Sequence, residues 1–307
     1  FLVVDERLWP RVERLAGKLP NLEKIFYIGS DSPRGTVPIA ELLHPHDSEP
    51  SEPIAENHPW VILYTSGTTG RPKGCITTHG GTVSQVVGIV FAGLAGALLG
   101  SGSPMPSAGG PMTNLLTTPL FHVGGLHSVS CTALSVGAKL VFLEGKFDPV
   151  KVMQTIERER VTTWGSVPTM LHRVVHHADV AKYDLSSLTA VSFGAAPMPP
   201  ETLRRAREVL PVKENLTNAY GLTETHGVAT LNGGKDLLGR GGSIGRPLPI
   251  LDMQIGDPDG NPLPDGQLGE LQIHGPTVTP GYWNRPEATA ETVVRGWLRT
   301  GDLGTRD

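Results

Sequence analysis

The chain has 307 residues and a formal net charge of −4, from 26 Lys and Arg against 30 Asp and Glu. That balance offers no basic surface, so nucleic acid is not expected as a partner. Charged residues make up only 18%, and 38 Gly with 27 Pro imply many turns around a core of ordinary size. Cys75 and Cys131 have no metal-type spacing and read as reduced thiols of a cytoplasmic protein. Residues 1–4 run straight into Asp5, Glu6 and Arg7, so this stretch is not expected to be a secretory leader.

Residues 5–16 carry Leu8, Val12 and Leu15 at helical spacing, with Pro10 near the start. Residues 24–28, stopped by Gly29, read as a strand, and the Ser-, Pro- and Asp-rich residues 30–59 as a loop. A second apolar run, residues 61–64, leads into Thr65, Ser66, Gly67, Thr68, Thr69, Gly70, Arg71, Pro72 and Lys73. Glycines let backbone N–H groups turn toward an anion, hydroxyls donate further bonds, and Lys73 adds a full charge: the chemistry of a phosphate cradle. It is not a Walker A loop, because Pro72 precedes Lys73 and no Ser or Thr follows it.

No Asp, Glu, Lys or Arg occurs from Gly74 to Ala138. Within that span residues 86–100 are apolar throughout and predict a buried helix behind the phosphate loop. The sharper reading is the wall of an acyl tunnel or a peripheral membrane contact. Residues 101–112 form a Ser/Pro/Gly connection. The apolar run that begins at Leu115 predicts a strand with His122 at its C-terminal end, where open α/β sheets place their sites. Residues 139–143 make another strand. Asp148 and Pro149 cap a helix through Arg160. Residues 161–164 are a β-branched strand, and Pro168 opens a helix on which His172 and His176 lie at i, i+4. No third ligand is close, so a solvated face is expected there.

Residues 188–193 predict a strand ending in Gly194, Ala195, Ala196 and Pro197, small enough for a flat ligand to approach the backbone. A helix follows from Pro199 to Leu210. Another short strand leads to Asn218, Ala219, Tyr220, Gly221, Leu222, Thr223 and Glu224. The alternation predicts a mostly parallel sheet flanked by helices. From residue 240, Asp-Gly pairs between short strands predict antiparallel hairpins. The expected fold is therefore α/β: mostly parallel sheets with flanking helices over residues 1–239, plus a small antiparallel β-barrel-like subdomain over 240–307.

The phosphate-loop string, the Tyr220-to-Glu224 stretch and Thr300, Gly301 and Asp302, in that order and spacing, resemble the adenylate-forming superfamily, its acyl-CoA synthetase branch above all. The resemblance implies an α/β large domain binding ATP, Mg²⁺, a small-molecule carboxylic acid and CoA. By it, Thr65 to Gly70 and Lys73 hold the β- and γ-phosphates, Tyr220 stacks on adenine beside Asn218 and Ala219, and Thr223 bonds the α-phosphate. Glu224 then holds magnesium, Gly194 to Pro197 form the backbone shelf against adenine and the acyl chain, with Gly194 also in the acyl pocket, and Asp302 accepts from the ribose. His122 matches the position that gates the acid pocket, with Trp164 and Gly165 close by. Lys73, His122, Thr223 and Glu224 are the implied catalytic residues, while the strings at Gly269 and Gly281 are taken as architectural. A hydrophobic acid, and a fatty one first, is favoured over an amino acid because no acid side chain is placed to meet an ammonium. The alternatives are an acyl-AMP ligase loading a carrier protein and a non-catalytic nucleotide-binding module. No starting Met is present, and the family's hinge, ribose-contacting Arg and C-terminal lysine have no counterpart after Asp307. The chain is therefore expected to be a fragment that binds ATP or acyl-AMP and adenylates poorly.

Overall fold

The computed structural model describes residues 1–43, 52–65, 71–99 and 111–307. They form two units, Phe1–Pro53 and Ile54–Asp307. The first holds β1 (Leu2–Asp5), α1 (Trp9–Ala16), β2 (Ile25–Ile28) and β3 (Val37–Pro38), with the strands paired in parallel in the order β1-β2-β3. Its small core is Val4, Ile25 and Tyr27 under Trp9 and Val12. Strand β1 goes beyond the sequence reading, which took residues 1–4 only as the chain's opening. β3 lies inside the stretch expected to be loop.

The second unit opens with an antiparallel hairpin, β4 (Pro59–Thr65) and β5 (Lys73–Thr78), followed by α2 (His79–Leu99). Next come β6 (Thr113–Leu116), a π-helical segment (Gly124–Cys131), α3 (Thr132–Ser135) and β7 (Lys139–Phe142). Two helix–strand pairs follow, α4 (Pro149–Glu159) with β8 (Thr163–Ser166) and α5 (Pro168–Val175) with β9 (Ala190–Gly194). Then α6 (Pro200–Val209) precedes β10 (Leu216–Leu222), β11 (Gly227–Gly233), α7 (Gly234–Gly239) and β12 (Arg246–Pro247). These strands make one sheet in the order β12-β11-β10-β9-β8-β6-β7. Strands β6 to β10 are parallel, whereas β11 pairs antiparallel with both β10 and β12. The expected βα alternation therefore ends in a hairpin, β10–β11, that the sequence did not announce. The remaining strands, β13 (Asp252–Gly256), β14 (Gly269–His274), β15 (Val293–Val294) and β16 (Trp297–Gly304), form an antiparallel sheet ordered β13-β14-β16-β15, with α8 (Pro286–Thr292) before β15. The fold is α/β, a mostly parallel sheet joined to a small antiparallel one, as the sequence predicts.

The two faces of the large sheet differ. Side chains alternate along a strand, and one set, Leu115, Trp164, Val191, Phe193 and Leu216, packs into the main core with Met153, Ile156, Leu171 and Val174. Burying each such side chain contributes about 1.5–3 kcal/mol. The other set, Asn114, Thr163, Gly165, Ala190, Ser192, Gly194, Thr217 and Ala219, is small or hydroxylated and lines a cavity instead. Helix α4 holds the core side in place. Asp148 Oδ1 accepts from the N–H groups of Val150 at 2.8 Å and Lys151 at 3.4 Å, and Arg160 closes the helix in a left-handed conformation.

Helix α2 departs from the buried helix expected over 86–100. It starts earlier, at His79, and only one side is covered: Thr82, Gln85 and Ile89 are buried, whereas Val83, Val87, Phe91, Leu94 and Leu98 are each more than half exposed. Its length and composition would suffice to cross a membrane, yet Ile89 packs in a core cluster with Ala229 and Leu248. A helix apolar on every side carries no sequence signal for which face is covered.

Candidate functional site

The β4–β5 hairpin sets Thr65 and Lys73 opposite each other as cross-strand partners, with Thr65 Oγ1 donating to the Lys73 carbonyl at 3.5 Å. Ser66, Gly67, Thr68, Thr69 and Gly70 lie outside the described residues. Beyond Lys73 the strand is held by a distant segment: Trp283 N–H donates to the Gly74 carbonyl at 2.7 Å, and Cys75 forms an isolated bridge with Tyr282. Burial drives the Cys75 thiol up to about 12, so it is no nucleophile there.

This segment delivers Tyr282 to the site. Lys73 Nζ sits 4.9 Å from the centre of its ring, and its hydroxyl donates to Glu224 Oε1 at 2.6 Å. Burial, and then the Glu224 carboxylate, push the Tyr282 phenol well above its ordinary range, so it stays a donor. Glu224 is fixed further by its own carbonyl, which accepts from Thr279 N–H at 2.8 Å. It lies with Thr223 in a 3-10 turn at Thr223–Thr225. Thr225 Oγ1 locks that turn by accepting from Leu222 N–H at 3.0 Å and donating to the Gly227 carbonyl at 2.8 Å.

A second pair joins the end of the large sheet to the small one. Tyr220 donates to Asp302 Oδ2 at 2.6 Å. Burial, followed by Asp302, raises the Tyr220 phenol as well. Asp302 is aimed by its own turn: its N–H donates to Thr300 Oγ1 at 3.1 Å, and Gly301 takes the left-handed φ of +77° that a glycine adopts freely.

A cavity of about 190 Å³ runs along the small-residue face of the sheet. His122, Gly165, Gly194, Ala195, Ala219, Tyr220 and Gly221 line it. His122 Nδ1 accepts from Gly124 N–H at 3.1 Å. Trp164 borders the cavity too, but its indole belongs to the core face and donates to Thr117 Oγ1 at 3.1 Å. Thr65, Lys73, Ala196, Pro197, Asn218, Thr223, Glu224 and Asp302 are outside the lining. The opposite wall comes from the π-helical segment, α2 and α3. The π segment seats closely: a Cβ at Gly125 would lie 2.2 Å from the Pro119 carbonyl oxygen.

Two residues matter that sequence reasoning passed over. Tyr282 stood in a string taken as architectural. His226 directly follows the Thr223 turn and is fully buried with φ of +56°. Its Nδ1–H donates to the Thr277 carbonyl at 2.7 Å, and its Nε2 accepts from Thr78 N–H at 2.8 Å. Those partners fix a neutral ring, and burial lowers its pKa to about 4. A histidine just after a turn of hydroxylated residues was the available signal. His172 and His176, by contrast, stack at 4.2 Å on an exposed face, and His172 Nδ1 meets Thr202 Oγ1 at 2.9 Å. Among the described residues no group of three or more His, Cys, Asp or Glu could hold a metal ion by itself.

Comparison with known proteins finds a match to the AMP-binding enzyme family over residues 1–283. A feruloyl-CoA synthase of Amycolatopsis sp is 36% identical over 272 residues, which is 88% of this chain and 52% of that protein. An indoleacetate–CoA ligase of Aromatoleum aromaticum is 32% identical over 100% of this chain and 57% of its own length. Among solved structures, the amide bond synthetase McbA of Marinactinospora thermotolerans superposes with a TM-score of 0.81 at 30% identity, covering 100% of this chain and 57% of that one. The chain thus spans about half the length of the curated relatives it matches.

Proposed function

Because the chain belongs to the AMP-binding enzyme family, we propose that it supplies the nucleotide- and acid-binding part of an acid–CoA ligase acting on a hydrophobic carboxylic acid. The observation that carries this reading is Tyr282 holding Lys73 and Glu224 together, three residues on from the cavity-lining Gly221. A cation beside a carboxylate that lies three residues from a cavity-lining glycine suits a reaction in which two anions must meet.

In that reaction the acid's carboxylate oxygen attacks the α-phosphorus of ATP, and pyrophosphate leaves with the electron pair of the broken P–O bond. The thiol of CoA then attacks the acyl carbon, losing its proton, and AMP leaves. Lys73 offsets charge on the departing phosphates, and the Thr223 hydroxyl donates to the α-phosphate. Tyr220, which lines the cavity with Gly194 and Ala195, would offer a flat face to adenine, and its hydrogen-bond partner Asp302 would accept from the ribose hydroxyls. His122, at the cavity rim, marks where the carboxylate enters. The site fits magnesium as a shared ligand: Tyr282 occupies one oxygen of Glu224 and leaves the other, and Mg²⁺ commonly takes one or two carboxylates plus the substrate's phosphates. When bound, the ion would neutralise phosphate charge.

The test has two arms. Calorimetric titration of the chain with ATP and magnesium should show binding that Lys73→Ala and Tyr220→Ala each weaken. A screen of hydrophobic acids on the whole protein should give acid-dependent pyrophosphate release and a CoA thioester by mass spectrometry. Absence of nucleotide binding in the first arm would sink the reading.

A further inference from the structure

The strand registers divide the cavity floor into three levels. Gly194 pairs with Ala219 at the rim. Gly165, Ser192 and Thr217 lie in line one level down, and Asn114, Thr163 and Ala190 in line at the bottom. Each level is two residues apart, so the bottom lies on the order of 13 Å below the rim along the strands. The wall facing this floor is mixed: Ile89, Val129, Ala133 and Val136 are apolar, whereas Ser128 and Thr132 carry hydroxyls.

The floor itself holds unpaired oxygens. Asn114 Oδ1 and Thr163 Oγ1 at the bottom and Thr217 Oγ1 at the middle level are buried without a hydrogen-bond partner. Thr163 and Thr217 are 5% and 2% exposed. Buried polar atoms are paired in the great majority of cases, so three orphans on one wall of one cavity need an explanation. A strand that only had to bound a hydrocarbon tunnel would carry valine at these positions, because valine has the shape of threonine without the hydroxyl. A threonine presents its hydroxyl or its methyl to the cavity by one staggered step about Cα–Cβ.

We propose that the acid taken by this site carries a hydrogen-bonding group, in the simplest case a hydroxyl, on its end remote from the carboxylate, received by Asn114, Thr163 and Thr217. This rests on the ligase reading above and sharpens its substrate class to an apolar acid with a polar far end, roughly 10 Å from the carboxylate given the spacing of the levels. Asn114 Oδ1 accepts, and each threonine hydroxyl accepts as well as donates, so a donor group suits all three. A plain alkyl tail would leave these oxygens stranded and would expel any water able to serve them.

The experiment titrates the chain with four acyl sulfamoyl adenosines, stable mimics of the acyl adenylate: octanoyl, omega-hydroxyoctanoyl, cinnamoyl and para-hydroxycinnamoyl. In at least one pair the hydroxylated member should bind about tenfold tighter, the size expected for one buried hydrogen bond. Thr163→Val and Asn114→Leu should each narrow that gap. Equal or tighter binding of the plain member in both pairs overturns the inference and leaves the ligase reading standing. Failure of all four mimics to bind overturns the ligase reading and takes this inference with it.

Discussion

Replacing Tyr282 by phenylalanine isolates one hydroxyl at the junction of three distant segments. The ring stays, so Lys73 keeps its neighbour at 4.9 Å and the backbone bridge to Cys75 is untouched. What is lost is the 2.6 Å bond to Glu224 Oε1. A hydrogen bond to a charged group contributes about 1.5–3 kcal/mol. Glu224 is only half-buried, so its freed oxygen can find water, and the lower end, about 1.5 kcal/mol, is expected. Tyr282→Leu removes the ring as well and should cost about 0.5–1 kcal/mol more through the lost cation–π contact, beside its packing loss. Urea unfolding measures both. Function adds a second readout. A Glu224 side chain no longer held by one oxygen can turn, so the gain in ATP affinity produced by magnesium should shrink several-fold in Tyr282→Phe, while affinity for ATP without magnesium changes little. If Tyr282→Phe unfolds within about 0.5 kcal/mol of the parent chain, the scale of an ordinary surface change, and keeps the full magnesium effect, the hydroxyl does not hold Glu224 and the argument fails.

Stability should fall between pH 6.5 and pH 4.5. His226 has its pKa depressed to about 4 by burial, so the unfolded chain takes up a proton first. The loss should approach about 3 kcal/mol by the time pH reaches the folded value. Carboxylates held low in the fold, such as Glu159 and Asp184, both near 2, act only at lower pH, so a flat urea midpoint across that window would refute the neutral, buried ring. Gly81→Ala would set a Cβ 2.4 Å from His226 Nε2, the atom that accepts from Thr78, and should lower the unfolding free energy by about 1–3 kcal/mol. Asp148→Ala removes the cap of α4 and should cost about 1 kcal/mol with no change in ligand binding. Gly165→Val fills the middle level of the cavity, where even a Cβ comes within 2.9 Å of Val129 Cγ2. It should abolish binding of the acyl adenylate mimics while ATP still binds, and equal loss of both would show that the two do not occupy separate ends of the site.

What could be read from the sequence was local. Asp148 followed by Pro149 announces α4 because a cap and a first-turn proline act within four residues. The β-branched run before Trp164 and the apolar run before Gly194 announce β8 and β9, because burial on both faces leaves few other residue choices. The Tyr220 and Asp302 strings were legible as site pieces, and their mutual bond is the kind of contact that only the fold reveals. Hairpin β10–β11 was missed because its turn is no Asx-Gly pair but the hydroxylated Thr223–Thr225 stretch, stabilised by Thr225. The π-helical segment has no periodic signature at all. Tyr282 was misjudged because nothing within its own string tells a buried aromatic from one whose hydroxyl reaches a carboxylate 58 residues away.

The unlike faces of the large sheet connect these points. In β8 the order Thr163, Trp164, Gly165, Ser166 places bulk on one side and space on the other. The bulky side, Trp164 with Leu115, Val191, Phe193 and Leu216, anchors the strands against α4, α5 and α6, so the strand tips that carry Gly194 and Tyr220 stand on a packed base. The sparse side would be a packing defect if a regular, closely seated helix had to fill it. It is instead roofed by a π-helical segment, whose wider turn stands in for side-chain volume and keeps Ser128 and Val129 at the cavity wall. A void of about 190 Å³ beside a rigid core is stable only if something else gains from it, since lining atoms forfeit contacts across an empty gap. Ligand binding is that gain, and it explains why glycine, alanine, serine and threonine recur at the inward positions of three neighbouring strands while Trp164, Val191, Phe193 and Leu216 fill the outward side.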